Sequence, residues 1–253
     1  MSSGALVHLS LGSNELDNGA ASIVAEALAT QGSLRSLDLQ RNAIGCQGAI
    51  AIAAALQLAS SLRVLNLRFN ELADAGASAL ARAVQAHPSL VELHLGGNLV
   101  GVEGAVQLAA CLAENPTLTS LNLRSNQVLD AGAVALGQMV RRNTALRELF
   151  VGANAIGEEG ALALAEALRR NSGLTRMDMQ GAALGRAGVA ALAAVVGENS
   201  SLRQLVVDID AAAPDAAAAI SAALRSNTTL TELSLGDGAP ADEAVVAAIQ
   251  GTL

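Results

Sequence analysis

Leucine recurs along this chain at a fixed interval. Leu6, Leu34, Leu62, Leu90, Leu118, Leu146, Leu174, Leu202 and Leu230 each stand 28 residues after the one before. Taking each of these as step 0, further apolar residues fall at steps 3, 5 and 10, and an alanine- and leucine-rich run closes the unit. The stretch 62–89, "LRVLNLRFNELADAGASALARAVQAHPS", shows the pattern in full. Leu65 and Leu67 alternate with polar neighbours, the period of a strand with one buried face. In the run that follows, Ala77, Leu80, Ala81 and Val84 share one helical stripe. Strand then helix, repeated, predicts a parallel sheet with the helices on its other side. Strands stack about 4.8 Å apart and helices about 8–10 Å apart, so the stack must curve, with the sheet on the concave side.

Two polar or small positions hold the same register. Asparagine stands at step 8 in Asn14, Asn42, Asn70, Asn98, Asn126 and Asn154, and its amide suits the unpaired backbone groups where the chain leaves the strand. Glycine stands at step 14 in Gly48, Gly76, Gly104, Gly132, Gly160 and Gly188, where we expect it to permit a tight turn into the helix. Departures cluster late. The asparagine becomes Ala182, Asp210 and Gly238, the glycine becomes Ala20, Ala216 and Ala244, and "AAAPDAAAA" from Ala211 brings Pro214-Asp215 to a loop-to-helix junction. The lattice is therefore most regular from Leu34 to Asn171 and looser after Leu174. No capping helix is visible before Leu6, and the last unit has 24 residues. Solenoids cover their ends with polar caps, so a longer protein or a partner covering an end is expected.

This register resembles the leucine-rich repeat family, in its ribonuclease-inhibitor-like class, from Leu6 to Leu253. The resemblance implies an α/β fold: a curved right-handed solenoid, or horseshoe, with a parallel sheet inside and helices outside. It implies a single domain over 1–253 of about nine repeats, the last three degenerate. The recurring "NxIxxxGAxxLAxAL" is similar to NOD-like receptor repeats, although no nucleotide-binding region is present. Ribonuclease inhibitor itself is cysteine-rich and alternates two repeat lengths, unlike this chain. Family members bind proteins through the concave face or the rims.

Composition narrows the chemistry. The chain is 52% hydrophobic with two phenylalanines and no tryptophan or tyrosine, so its core must be a close lattice of alanine and leucine. All fifteen basic residues are arginine and the net charge is −8, which argues against a nucleic-acid binder. Absence of lysine removes P-loop and Schiff-base chemistry. Cys46 and Cys111 are too few for a disulfide framework or a zinc site and are expected to be reduced, buried hydrophobes. No secretory signal is visible, and the longest apolar run, near Val189–Val196, is far too short to cross a membrane. A cytoplasmic chain is expected, with a cytoskeletal or ciliary setting among the options and no cofactor.

No HExxH, CxxC, P-loop or GxSxG motif is present, so no catalytic or metal site and no enzyme activity is expected. His8 and His94 lie on strands about 14 Å apart, too far to share a metal. His87 stands where other units carry Asn115, Asn143, Asn171, Asn199 and Asn227, and reads as a helix-end cap or a solvated residue. "LGGN" at Leu95–Asn98 reads as a strand end rather than a phosphate loop. "NSS" at Asn199 and "NTT" at Asn227 read as helix ends rather than glycosylation sites.

Steps 1, 2, 4, 6 and 7 face the concave side, and they include both phenylalanines, Phe69 and Phe150. At these steps the first six units carry Arg35, Arg41, Arg63, Arg68, Arg124 and Arg147 against Asp38, Glu92 and Glu148, six minus three or +3. The last three carry Arg176 and Arg203 against Asp178, Asp208, Glu232 and Asp237, two minus four or −2. The candidate partner-binding patch is Arg41, Arg63, Asn66, Arg68, Phe69, His94, Asn122, Arg124 and Phe150. Arginine, phenylalanine and asparagine together suit a protein hot spot, with Arg68 and Arg124 as carboxylate clamps. A blander reading has Phe69 folding over neighbouring strand ends as local cover. The expected function is a protein–protein interaction module or scaffold, or a structural subunit held by its open ends. The alternative, by resemblance, is a GTPase-activating protein similar to the Ran-directed type.

Overall fold

The computed structural model of the chain describes residues 6–208 and 214–236. Asp210, Asp237, Gly238, Ala244 and residues 211–213, singled out above, lie outside that range. Strand and helix alternate in the order β1 (His8–Ser10), α1 (Asn18–Thr30), β2 (Ser36–Asp38), α2 (Cys46–Leu56), β3 (Val64–Asn66), α3 (Ala73–Val84), β4 (Glu92–His94) and α4 (Val102–Leu112). They continue as β5 (Ser120–Asn122), α5 (Leu129–Arg142), β6 (Glu148–Phe150), α6 (Glu158–Arg170), β7 (Arg176–Asp178), α7 (Gly185–Glu198), β8 (Gln204–Val206), α8 (Pro214–Leu224) and β9 (Glu232–Ser234). All nine strands form one parallel sheet in sequence order, open at both edges. The register follows the repeat, so Leu37 pairs Leu65, Leu65 pairs Leu93 and Leu93 pairs Leu121. This is the curved α/β solenoid that the leucine spacing predicts.

Burial follows the same steps. Leu37, Leu65, Leu93, Leu121 and Leu149 form one fully buried row between sheet and helices, and Leu39, Leu67, Leu95 and Leu123 form the next. From the helix side, Ala77, Leu80, Ala81 and Val84 close onto them with no exposed surface. Pro214 opens α8 as its first residue, where its missing N–H costs no hydrogen bond.

The step-8 asparagines hold the strand exits together. In Asn126, Nδ2 donates to the carbonyls of Leu95 and Leu123 at 2.9 and 2.8 Å, and Oδ1 accepts from the N–H groups of Asn98 and Val100 at 2.9 Å. One side chain thereby satisfies four backbone groups across two repeats, three of them in its neighbour or shared with it.

The step-14 glycines do something other than expected. They lie inside the first helical turn, and none of the six is among the glycines with positive φ, so no tight turn requires them. What the first five permit is contact between neighbouring helices, whereas at Gly188 a Cβ would meet Ala161 at an ordinary 3.6 Å. A Cβ on Gly48 would lie 2.8 Å from the Cβ of Ala21, and one on Gly160 would lie 2.8 Å from that of Ala133. The alanine-rich helices approach so closely here that even a methyl group has no room.

A second regularity is an alternation in how helices begin. Asn18 Oδ1 accepts from the N–H groups of Gly45 and Gly48, Asp74 Oδ1 from Gly101 and Gly104, and Asp130 Oδ1 from Gly157 and Gly160. The first, third and fifth repeats thus cap the helix of the repeat after them, while in the sixth Glu158 Oε1 accepts from Ala187 N–H in the first turn of α7. The helices capped by Asn18, Asp74 and Asp130 start at an extended glycine, Gly45, Gly101 or Gly157. α3, α5 and α7 instead follow a helical Leu72, Val128 or Leu184, with positive φ at the next residue, Ala73, Leu129 or Gly185.

Candidate partner-binding face

At the ends of β1 to β7 the chain turns through the left-handed region at step 7. Ser13, Arg41, Phe69, Ser125 and Ala153 have φ of 60°, 55°, 55°, 60° and 54°, and Gly97 and Gly181 do the same. The turn is shared by successive repeats rather than peculiar to one, and it is tied by ladder bonds such as Arg41 N–H to Arg68 O and Phe69 N–H to Gly96 O, both 2.8 Å. Its consequence is that step-7 side chains stand at the rim of the concave face rather than in the core.

Phe69 occupies such a rim position and is 41% exposed. Its ring lies against Gly97, where a Cβ would fall 2.6 Å from Cδ1, which explains the second glycine of "LGGN". The guanidinium carbons of Arg41 and Arg68 each sit 5.1 Å from the ring centroid. Such contacts contribute about 0.5–1 kcal/mol each at an exposed site. Phe69 therefore both covers its neighbour's turn and presents a flanked aromatic surface to solvent.

Around it, Asn66 Oδ1 accepts from the Arg68 N–H at 3.1 Å, leaving the amide nitrogen directed to no other group among the described residues. Arg35 and Arg63 are exposed at the start of β2 and β3, beside a hollow of about 470 Å³ lined also by Ser61, Pro88, Ser89, Val91 and Thr117. Asp38 is occupied, its Oδ1 accepting from Gln40 N–H and its Oδ2 from Gln40 Nε2.

The second half of the predicted patch is arranged differently. Arg124 is bound within the chain: Nη1 donates to Asp178 Oδ2 at 2.7 Å and Nη2 to Gln180 Oε1 at 2.6 Å, two repeats away. Gly152 lies beneath this reach, and a Cβ there would come within 2.6 Å of Nη1. Phe150 is half-buried with Arg176 5.0 Å above its ring. Asn122 Oδ1 accepts from the Arg124 N–H, and His94 Nε2 lies 3.2 Å from Glu92 Oε2. The structure thus brings Arg41, Arg68 and Phe69 together at the ends of β2 and β3, with Asn66 bonded to the Arg68 N–H, leaves Arg63 beside Arg35 at the strand starts, and sets Arg124 and Phe150 in separate clusters. Asp178, Gln180 and Arg176 are the partners that sequence reasoning did not assign. Their shared concave steps, two repeats on or one repeat on, were the available signal.

Away from this face, His87 is 4% exposed and burial holds its imidazole below the usual histidine pKa. Burial likewise raises the thiol of Cys111, and both cysteines are free. Among the described residues no three His, Cys, Asp or Glu side chains come together as a metal site, and no helix is long and apolar enough to cross a membrane.

Fold and face together define an α/β solenoid with a polar, arginine-bearing concave surface. Leucine-rich repeats are present: the family profile described as Leucine Rich repeat matches residues 33–53, 59–81, 86–109, 114–137 and 142–165. Among solved structures, the actin-binding site 2 domain of leiomodin-1 shares the fold, with a TM-score of 0.51 at 22% identity over 60% of this chain and 88% of its own. A tropomodulin C-terminal domain from Caenorhabditis elegans aligns at 19% identity, over 61% of this chain and 92% of its own, with a TM-score of 0.49. No curated protein matches the sequence.

Proposed function

We propose that the chain is a protein-interaction module that binds a protein partner through its concave face, without catalytic activity of its own. The reading takes 1–253 as one domain of the ribonuclease-inhibitor-like class, cytoplasmic, and free of nucleic-acid and membrane ligands. The observation that carries it is Phe69, an exposed aromatic in a chain that holds only one other, set between two guanidiniums on an open sheet. Arg41, Arg63, Asn66, Arg68 and Phe69 form the centre of the face; His94, Asn122, Arg124 and Phe150 form its far side. The likeness to the leiomodin-1 domain is one of fold, so actin enters as the first partner to test rather than as a conclusion. No observation favours the GTPase-activating alternative.

The test is affinity capture from the source cell with quantitative mass spectrometry, comparing wild type with an Arg68→Glu, Phe69→Ala variant of unchanged circular dichroism. Partners lost only from the variant support the reading, and purified actin is added as a separate bait. Identical partners for both proteins overturn it. Binding would then lie with the ends of the solenoid, where Leu6 and Ile23 are 47% and 70% exposed.

A further inference from the structure

We propose that the concave face recognises an acidic segment of its partner, gripped by Arg35 and Arg63 where β2 and β3 begin and by Arg41 and Arg68 beside Phe69 where they end. This rests on the concave-face reading above and adds the chemistry of what is bound.

The argument is one of unneutralised charge. Between Leu34 and Asn42 and between Leu62 and Asn70 stand Arg35, Arg41, Arg63 and Arg68 against Asp38, four minus one or +3. On the corresponding stretches of β4 to β9 the described residues hold Arg124, Arg147, Arg176 and Arg203 against Glu92, Glu148, Asp178, Asp208 and Glu232, four minus five or −1. Two of those four arginines bond to polar groups within the chain. Arg124 is held by Asp178 and Gln180, and Arg147 donates to the carbonyls of Thr144, Leu146 and Gly173, while Arg176 lies over Phe150 as Arg68 lies over Phe69. Among the described residues the β2–β3 arginines have no carboxylate partner, Arg41 and Arg68 have only the Phe69 ring, and the buried Nε of Arg68 has no acceptor.

Neighbouring strands set the backbones of Arg35 and Arg63, and of Arg41 and Arg68, about 4.8 Å apart in rows, so like charges share each end of the face and a bound anion would offset them. The hydroxyls around the Arg35–Arg63 hollow are already committed inward. Ser61 donates to Leu34 O, Ser89 to Ser60 O and Leu62 O, and Thr117 to His87 O. What that end of the face offers a ligand is guanidinium N–H donors, which match carboxylates and accept nothing. Five residues separate Arg63 from Arg68, or about 16 Å along a strand. The fitting segment therefore carries carboxylates about 16 Å apart, five extended residues or three helical turns, with an apolar side chain for Phe69. A nucleic acid would meet the same arginines but also the acidic remainder of a chain of net charge −8.

The experiment uses three fluorescein-labelled probes: a twelve-residue Glu/Leu peptide, its Gln/Leu counterpart and a twelve-nucleotide single-stranded DNA. Anisotropy titrations run at 50 and 300 mM salt against wild type, an Arg35→Gln, Arg41→Gln, Arg63→Gln, Arg68→Gln variant, and an Arg142→Gln control on α5. We expect the acidic peptide alone to bind, at least tenfold more weakly at high salt and at least tenfold more weakly to the quadruple variant, with the control unchanged. An Arg35→Gln, Arg63→Gln double variant at exposed positions gives an intermediate loss and guards against misfolding of the quadruple. Equal binding of the Gln/Leu peptide, preference for the DNA, or indifference to the arginine variants overturns the proposal. If a cellular partner is lost on Phe69→Ala but kept by the four Arg→Gln changes, the interaction-module reading stands and the acidic segment falls.

Discussion

Replacing His87 by asparagine should stabilise the protein, and the gain should grow as the solution is acidified. In the repeats after it the same position is an asparagine. Asn143 Nδ2 donates to Leu112 O and Asn115 O at 2.7 and 3.1 Å, 31 and 28 residues earlier, while its Oδ1 accepts from the N–H groups of Ala145 and Leu146. His87 performs only the accepting half, with Nδ1 receiving the N–H groups of Ser89 and Leu90 at 3.3 and 3.0 Å. Its buried Nε2 faces the carbonyls of Leu56 and Ala59 without a well-formed hydrogen bond. Asparagine would supply two amide N–H bonds to those carbonyls, about 1 kcal/mol each, less a little for the smaller side chain. The expected gain at pH 7.5 is about 1–2 kcal/mol. Protonation would place a second hydrogen on Nδ1, facing two donors, and burial already disfavours the charged ring. The folded-state pKa lies below the unfolded value of 6.5, so this contribution is present above that value and is lost as pH falls through it. Urea unfolding followed by far-ultraviolet circular dichroism at pH 7.5 and 5.5, at constant ionic strength, measures both effects. Other titrating groups are common to the two proteins and cancel in the difference. A gap that stays constant or shrinks on acidification, or a variant less stable at pH 7.5, would refute the reasoning.

Two further sets of changes address the lattice itself. Gly104→Ala should destabilise by roughly 1–3 kcal/mol, since its Cβ would fall 2.6 Å from Asp74 Oδ1 and 2.8 Å from Val100 Cγ1. Gly197→Ala, whose Cβ would meet nothing nearer than Ala223 at 3.7 Å, should stabilise by about 0.5–1 kcal/mol, and the pair is compared by thermal and urea unfolding. Asn126→Ala should cost roughly 2 kcal/mol, because the N–H groups of Asn98 and Val100 lose their acceptor, while the carbonyls of Leu95 and Leu123 keep bonds from Asn98 Nδ2 and Asn154 Nδ2. Hydrogen exchange at Asn98 and Val100 should accelerate in that variant, and unchanged protection there would count against the asparagine's role.

What the sequence discloses in such a chain is set by what its period encodes. The 28-residue register fixes which residues are stacked, so the parallel ladders, the leucine rows and the asparagine positions all follow from spacing alone. Spacing does not say how near two stacked elements come. Gly104 and its counterparts look like turn residues until the facing methyl of Ala77, 3.3 Å from the missing Cβ, shows that they answer to the next helix. The alternation of helix caps was also within reach, since Asn18, Asp74 and Asp130 occur at step 12 only in odd repeats, ahead of Gly45, Gly101 and Gly157. A uniform length concealed it. On the concave face the limit is sharper, because a long side chain chooses among partners one or two repeats away. Arg68 and Arg124 hold the same step, and what separates them stands two repeats on, where Asp178 and Gln180 answer Arg124 but Asn122 and Arg124 fill the matching places for Arg68. Gly152 leaves Arg124 a path to Asp178 and Gln180, whereas Arg68 has only an aromatic ring beneath it. Counting charges therefore spreads the basic character over six repeats. Following each guanidinium to its partner leaves β2 and β3 as the adjacent pair whose arginines exceed their acids, and that excess is what the proposed acidic segment would neutralise.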